Sequence, residues 1–154
     1  MGYAKDTDVS VDRTRGEIER TLHKYGATEF VSGWNQREAV IGFVVRNRHI
    51  KIVLSLPSPE DEEFRRSPGG RRVRTSDQRL KAWEQACRSR WRALLLAIKA
   101  KLEAVEVGIA TFEDEFLAYT VLPDGQTVSQ MAQPEISRMI ETGHMDRPLL
   151  MAGN

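Results

Sequence analysis

Basic side chains are concentrated in residues 65–92, and they define the chemistry that this chain is best equipped to perform. The stretch holds ten arginine or lysine residues against two acidic ones, and its net charge is therefore +8, whereas the whole chain carries +1. Charges of one sign at this density repel one another unless an anion neutralises them. Arginine suits phosphate because its guanidinium donates two parallel hydrogen bonds. A solvated segment that only keeps the protein soluble is the alternative interpretation.

Other chemistries have less support in the sequence. The three histidines lie on separate elements and Cys87 is the only cysteine, so the sequence predicts neither a metal site nor a disulfide. It contains no phosphate-binding glycine loop and no G-x-S-x-G motif. The acidic runs 60–63 and 113–115 could bind Mg²⁺ for phosphodiester cleavage, but they are equally typical of solvated faces and helix ends. We expect no cofactor and no enzymatic activity, with nuclease chemistry as the enzymatic alternative.

An N-terminal helix and an antiparallel meander are the first elements that the sequence predicts. Ile18, Leu22 and Tyr25 recur on one face of a helix over residues 14–25. Three segments rich in β-branched and aromatic residues follow, separated by short turns that make neighbouring strands antiparallel. The second segment is apolar throughout, which indicates that both of its faces are covered, and the third alternates as a half-exposed strand does. The predicted strands are residues 28–34, 38–45 and 49–56.

The strongest periodic signal predicts one long amphipathic helix from Ser76 or Asp77 to Ile109. Apolar residues recur every three or four positions and fall within a sector of about 100°. Trp83 and Trp91 belong to this stripe, so both are interpreted as packing residues and not as platforms for stacking bases. The stripe consists of Leu80, Trp83, Cys87, Trp91, Leu94, Ile98, Leu102, Val105 and Ile109.

Two further faces of this helix bear on function. Lys81, Arg88, Arg92 and Lys99 fall within about 20° of one line along the helix, where they could follow a phosphate backbone. A third face of small side chains would let a helix of a second subunit approach closely, so a homo-oligomer is expected. High helix propensity alone is the other explanation for that face, which comprises Ala82, Ala86, Ala93, Ala97, Ala100 and Ala104.

The remaining segments are predicted to be a mobile basic loop over 57–76, a short helix over 134–142 and a loose tail over 144–154. We therefore predict an α+β fold with a β-β-β-α core in a single domain spanning 1–154. Neither a signal peptide nor a membrane span is visible, and a cytoplasm is the expected location. The candidate nucleic-acid-binding residues are Arg65, Arg66, Arg71, Arg72, Arg74, Lys81, Arg88, Arg92, Lys99, Lys51, Arg46 and Arg48.

Three runs of the sequence carry a resemblance to a family of small bacteriophage and prophage proteins. They are IERTLHKYGA, AVIGFVVRNRHIKIVLSLP and AWEQACRSRWRALLLAIKAKLEAVEVGIATFEDEFLAYTVLPDG, within residues 10–130. This resemblance implies a phage context. The order of meander and long helix also resembles the Rad52-like single-strand annealing proteins of phages. That architectural resemblance implies a groove between sheet and helix for DNA, and subunits arranged in rings or filaments.

Two hypotheses of function follow from these patterns. The first is a phage protein that binds and anneals single-stranded DNA through electrostatic contacts to the backbone. The second is a small interaction protein that modulates a host enzyme or inhibits a defence system, with the arginine-rich segment facing an acidic protein surface. Binding of single strands at several salt concentrations distinguishes the two.

Overall fold

The chain folds into a three-stranded antiparallel sheet with two long helices packed on one of its faces. The structure, a computed structural model, describes residues 2–145, with side chains described from residue 11 onward. The predicted α+β fold is confirmed, while residues 146–154 of the predicted tail lie outside the described part. The elements are α1 (Gly2–Lys24), β1 (Glu29–Trp34), β2 (Glu38–Val45), β3 (Arg48–Ser55), α2 (Ser76–Glu106), α3 (Phe112–Glu115) and α4 (Val128–Thr142), with single 3-10 turns at Glu62–Phe64 and Leu117–Tyr119.

Helix α1 begins about three turns before its predicted start. It covers Gly2–Lys24, although only residues from position 14 onward carry the apolar repeat. A helix whose later turns are fixed by packing extends at little cost, because each added residue contributes one further hydrogen bond. Ile18 and Leu22 are fully buried. Gly26, with a φ of 100°, ends the helix and lets the Ala27 amide donate to the Leu22 carbonyl at 3.0 Å.

The three strands pair in sequence order through two short turns. In the first turn, Asn35 Oδ1 accepts hydrogen bonds from the backbone amides of Arg37 and Glu38 at 2.8 and 2.9 Å. In the second, Arg46 and Asn47 both have positive φ, 53° and 64°. Two such residues form a tight hairpin turn whose twist matches that of the strands. β3 therefore starts at Arg48, one residue earlier than predicted.

Only the inner face of the sheet is fully covered by other elements. Ile41 and Phe43 of β2 are buried there, opposite Ile52 and Ile50 of β3. On the outer face Val31 is 66% exposed, so the prediction that both faces of β2 are covered holds in full only for the inner one.

The two edges of the sheet differ in what occupies them. Beside β3, the Val121 amide donates to the His49 carbonyl at 2.8 Å, and Arg90 donates to the Ser55 carbonyl at 3.2 Å. β1 pairs with β2 alone within the described residues, and its outer edge carries no further strand. The sheet is therefore open along one edge.

Helix α2 is the longest element and carries the predicted apolar stripe. Its N-cap is Thr75, one residue before the predicted start, and Thr75 and Gln78 form a reciprocal capping box. The helix ends at Glu106 because Gly108 follows with a φ of 83°. Ile109 lies beyond this end and is 82% exposed, so its predicted place in the stripe is wrong. No helix within residues 2–145 is long and apolar enough to cross a membrane.

The core lies between the helix pair and the inner face of the sheet. Trp91 is 2% exposed at its centre, which confirms it as a packing residue. Phe116 closes the core next to the C-terminal half of α2, with its ring 5.8 Å from that of Phe43 in an edge-to-face arrangement. Five members of the predicted stripe are buried in α2, namely Cys87, Trp91, Leu94, Ile98 and Leu102.

The segment predicted as a mobile loop, residues 57–76, contains local structure and gives its last residue to α2. Phe64 on the first 3-10 turn is buried, and the carbonyl of buried Pro57 accepts a hydrogen bond from Trp83 Nε1 at 2.6 Å. A bridge joins Arg66 and Val73 across a turn. The mobility of this segment stays a prediction, but its two ends are tied to α2.

The C-terminal helix α4 is longer than predicted. It begins at Val128, since Thr127 and Gln130 form a capping box ahead of the apolar repeat, and Pro134 lies inside it. The predicted start at 134 is therefore wrong by six residues. Ile136 and Met139 are half-buried, whereas Ile140, predicted to face inward, is 78% exposed.

Candidate nucleic-acid interface

Five of the predicted binding residues lie on one short hairpin that leads directly into α2. The Arg74 amide donates to the Arg65 carbonyl at 2.7 Å, and the Ser67 amide donates to the Arg72 carbonyl at 2.9 Å. Gly69 and Gly70, with φ values of 86° and 73°, make the tight turn possible. The hairpin therefore gathers arginines that the sequence only shows as neighbours. We call Arg65, Arg66, Arg71, Arg72 and Arg74 the basic hairpin.

The side chains of the basic hairpin are largely available to a ligand. Arg71 and Arg72 are exposed, and Arg74 is half-buried. Arg65 lies 3.4 Å from Glu62, a surface pair that contributes little to stability. Arg66 donates to the Gly70 carbonyl at 3.4 Å.

A second basic surface follows one line of α2 and meets α1 at Lys99. Lys99 Nζ contacts Glu17 Oε2 at 2.7 Å. That hydrogen bond and the Lys99 charge, with smaller contributions from Arg20 and Arg92, hold the pKa of Glu17 below its ordinary value. Lys81, Arg92 and Lys99 are exposed and Arg88 is half-buried, so the predicted line on α2 reaches solvent. We call this surface the helix seam. It consists of Lys81, Arg88, Arg92 and Lys99 of α2 together with Glu17 and Arg20 of α1.

Glu17 is the acid of the helix seam, and removing its charge tests the electrostatic role of that surface. Because its pKa is lowered, the carboxylate stays charged at neutral pH and competes with phosphate for Lys99. We expect Glu17→Gln to bind single-stranded DNA more tightly at low salt, by up to about fivefold, the range of an exposed ion pair. Titration with a labelled oligonucleotide measures this change. Glu19→Gln is the control, since Glu19 is exposed on the same helix and the carboxylate that contacts Lys99 is that of Glu17; equal effects of both variants would mean that only net charge matters.

The other three predicted residues lie elsewhere on the fold. Arg46 and Arg48 are at the β2–β3 turn, where Arg48 Nε is 4.0 Å from Glu113 Oε2 on α3. Lys51 pairs with Gly42, whose neighbours Ile41 and Phe43 face the core, so it lies on the outer face of the sheet. The helices cover the inner face. The structure therefore does not bring these three residues to the helix seam or the basic hairpin.

A cavity of about 860 Å³ opens between the middle of α1, the first half of α2, the end of the sheet and residues 58–61. All three tryptophans of the chain, Trp34, Trp83 and Trp91, line it. Arg15 and Arg37 stand at its wall as well. The sequence gives no signal for this cavity, because its residues come from four separate segments. A tryptophan at a strand end beside an asparagine turn is the one local hint.

Cys87 forms part of the cavity wall as a neutral thiol. Burial raises its pKa to about 11, against smaller opposing effects of Arg90 and Arg88. The side chain is 3% exposed. At neutral pH it therefore behaves as a small apolar residue rather than as a nucleophile.

The raised pKa of Cys87 makes the stability of the fold depend on alkaline pH. Above the ordinary thiol pKa of 9.0 the unfolded chain ionises while the folded chain holds its proton until about 11. The thiol therefore leaves the free energy of unfolding unchanged below pH 9 and lowers it progressively as the pH rises from 9 to about 11. We expect wild type to lose roughly 1–2 kcal/mol more than Cys87→Ala between pH 8 and about pH 10.5 in urea unfolding. Identical losses would indicate a thiol that reaches solvent.

Two side chains of the acidic run 113–115 lie beside basic side chains. Glu113 contacts Arg48, and Glu115 Oε1 lies 3.4 Å from Lys101 Nζ. In the part of the chain that the structure describes, no group of three or more histidine, cysteine or acidic side chains could hold a metal ion.

Comparison with known proteins assigns no family to the chain. No protein-family model matches it, and no curated protein or solved structure is significantly similar to it.

Proposed function

We propose that this protein binds single-stranded DNA through the phosphate backbone, as a phage protein of recombination or replication. The observation that carries the proposal is that the basic hairpin leads directly into α2, where the helix seam continues the basic surface as far as Lys99. Between residues 65 and 99 the chain places nine of the twelve candidate cations on two adjoining elements. Affinity for phosphate comes mainly from the release of counterions, so many cations along one surface are what backbone binding requires.

The geometry supports a strand that follows α2. Lys81 and Lys99 are 18 residues apart on the helix, which corresponds to about 27 Å and to several nucleotides. Arginine and lysine would hold the phosphates while most bases face solvent. Such a strand can pair with its complement without any covalent step, which is the mechanism proposed for annealing.

Salt dependence is the direct test of this function. In a mobility-shift titration with a labelled oligonucleotide, log K should fall linearly with log salt, with a slope of about −0.7 for each phosphate contact. Duplex of the same sequence serves as the comparison. Absence of binding to either form at low salt would overturn the proposal.

A role as an interaction protein that modulates a host enzyme is the second candidate, and one observation favours it. Val107 and Ile109 after α2 are 57% and 82% exposed, and Ile140 on α4 is 78% exposed. Exposed aliphatic side chains of this kind occur at protein contacts. This candidate would move to first place if DNA binding were absent.

Annealing by several subunits predicts that the protein is a homo-oligomer. Ala93, Ala97 and Ala100 on α2 are exposed, with Leu96 beside them at 60% exposure, so a second helix can approach closely. Light scattering at micromolar concentration should give a mass above the 17.5 kDa of one chain. A species of 17.5 kDa both with and without DNA would count against annealing.

A further inference from the structure

The cavity beside α1 and α2 has walls suited to a flat aromatic ligand. Its volume of about 860 Å³ lies within the range of small-molecule sites. The ring of Trp83 is fixed by the hydrogen bond from Nε1 to the Pro57 carbonyl at 2.6 Å. Leu56 and the neutral thiol of Cys87 add apolar surface.

Trp34 has an unusual position at the mouth of this cavity. It pairs with Ala39, which is buried on the inner face, so the indole lies on the core side of the sheet. It is nevertheless 67% exposed, since the sheet ends there. An indole left in water on the side of the sheet that buries apolar groups forgoes the stabilisation that burial gives. Stacking against a ligand would recover it.

The charges around the mouth distinguish a neutral ring from a phosphate group. Asp12 forms an ion pair with Arg15, so these two charges offset each other. Glu60, Asp61 and Arg37 line the same cavity. The cavity is thus lined by three carboxylates and two guanidinium groups, and its walls carry no excess of positive charge. The excess lies on the basic hairpin, which begins four residues after Asp61.

We infer that the cavity binds a nucleobase, which stacks on Trp34 while its phosphates stay outside on the basic hairpin. The Gln36 amide and the Ser58 hydroxyl line the wall and can bond the polar edge of a base, and so can the NH2 group of Asn35, whose Oδ1 is held in the turn. The base would belong to the bound DNA strand, so the inference rests on the proposed function. A free nucleotide has the same chemistry and is the other possible source.

An abasic strand separates base binding from backbone binding. We compare an oligonucleotide with an abasic strand of equal length and charge, following both affinity and tryptophan fluorescence. The base-bearing strand should bind more tightly by about 5- to 150-fold, the range of one stacked base. It alone should quench the emission, because Trp34 is the most exposed of the three tryptophans. Equal affinity and no quenching would overturn the inference and leave the proposed function standing.

Variants at Trp34 assign the effect to this residue. Trp34→Ala should lose the preference for the base-bearing strand and keep the salt slope, while Trp34→Phe should restore much of the preference. Val31→Ala is the matched control, since Val31 is 66% exposed on the same strand but on the outer face. If Trp34→Ala retained the full preference, the cavity would not be the base site.

Two small molecules test the remaining sources. Saturable quenching by deoxyadenosine monophosphate without any binding of strands would support the base site and overturn the proposed function. Quenching by choline and not by the nucleotide would overturn the inference, since the three carboxylates would then serve a cationic ligand.

Discussion

Trp91→Ala is expected to destabilise the fold by about 3–5 kcal/mol, the cost of deleting a large aromatic side chain from a packed core. Trp91 is 2% exposed and belongs to the cluster in which α1, α2 and the sheet meet. Its removal leaves a void beside an existing cavity. Urea unfolding followed by circular dichroism measures the free energy, and Tm should fall by on the order of 10 °C.

Glu103→Ala is the control on the same helix, because Glu103 is exposed and lies outside the face of small side chains. Surface changes of this kind usually alter stability by less than about 0.5 kcal/mol. Trp91→Ala unfolding at the wild-type urea concentration would mean that the indole does not pack in the core and that the helix phase is wrong.

Arg88→Ala combined with Arg92→Ala is expected to weaken binding of single-stranded DNA for every sequence tested. Arg92 is exposed on the helix seam, and Arg88 makes one hydrogen bond, of 2.9 Å, to Gln85 on its own helix. Each lost phosphate contact should reduce the slope of log K against log salt by about 0.7, so two contacts should reduce it by about 1.4. Titrations at four or more salt concentrations give this slope.

A variant with the same change of charge elsewhere tests whether position matters. Arg46→Ala with Lys51→Ala also removes two positive charges, but from the β2–β3 turn and the outer face of the sheet. We expect a smaller change of slope in this control. Were both double variants to bind alike, the protein would attract DNA by net charge alone, and the interaction-protein candidate would gain. Unchanged binding by the Arg88 and Arg92 variant would make the helix seam a solvated face.

Local patterns in the sequence were sufficient to predict most of the fold. The alternation of Ile50, Ile52 and Leu54 identified the inner face of β3, and the apolar repeat identified α2. The errors fall at helix ends, where the repeat gives no information. Ile109 keeps the repeat after Gly108 has already ended the helix, and α4 starts at a capping box before its own repeat begins.

The candidate site could be predicted only in part. Charge is a property of the sequence, so the arginines at 65–74 and the line of cations on α2 were visible before any fold was known, whereas the hairpin that gathers those arginines was not predicted. The position of Lys51 on the far face follows from strand register, which a list of charges does not contain. The cavity forms because the fold brings Trp34 and Trp83 to the same space, although these residues are far apart in sequence.

The open edge of β1 limits the symmetry that sheet-to-sheet association could take. Addition of strands requires an unpaired edge, and within residues 2–145 this sheet offers one, since contacts from Val121 and Arg90 occupy the other. Two copies joined through β1 would meet around a twofold axis and form a closed six-stranded sheet with no edge left for a third subunit. Sheet pairing alone would therefore stop at a dimer. A ring or filament of this protein would need a second, different contact surface.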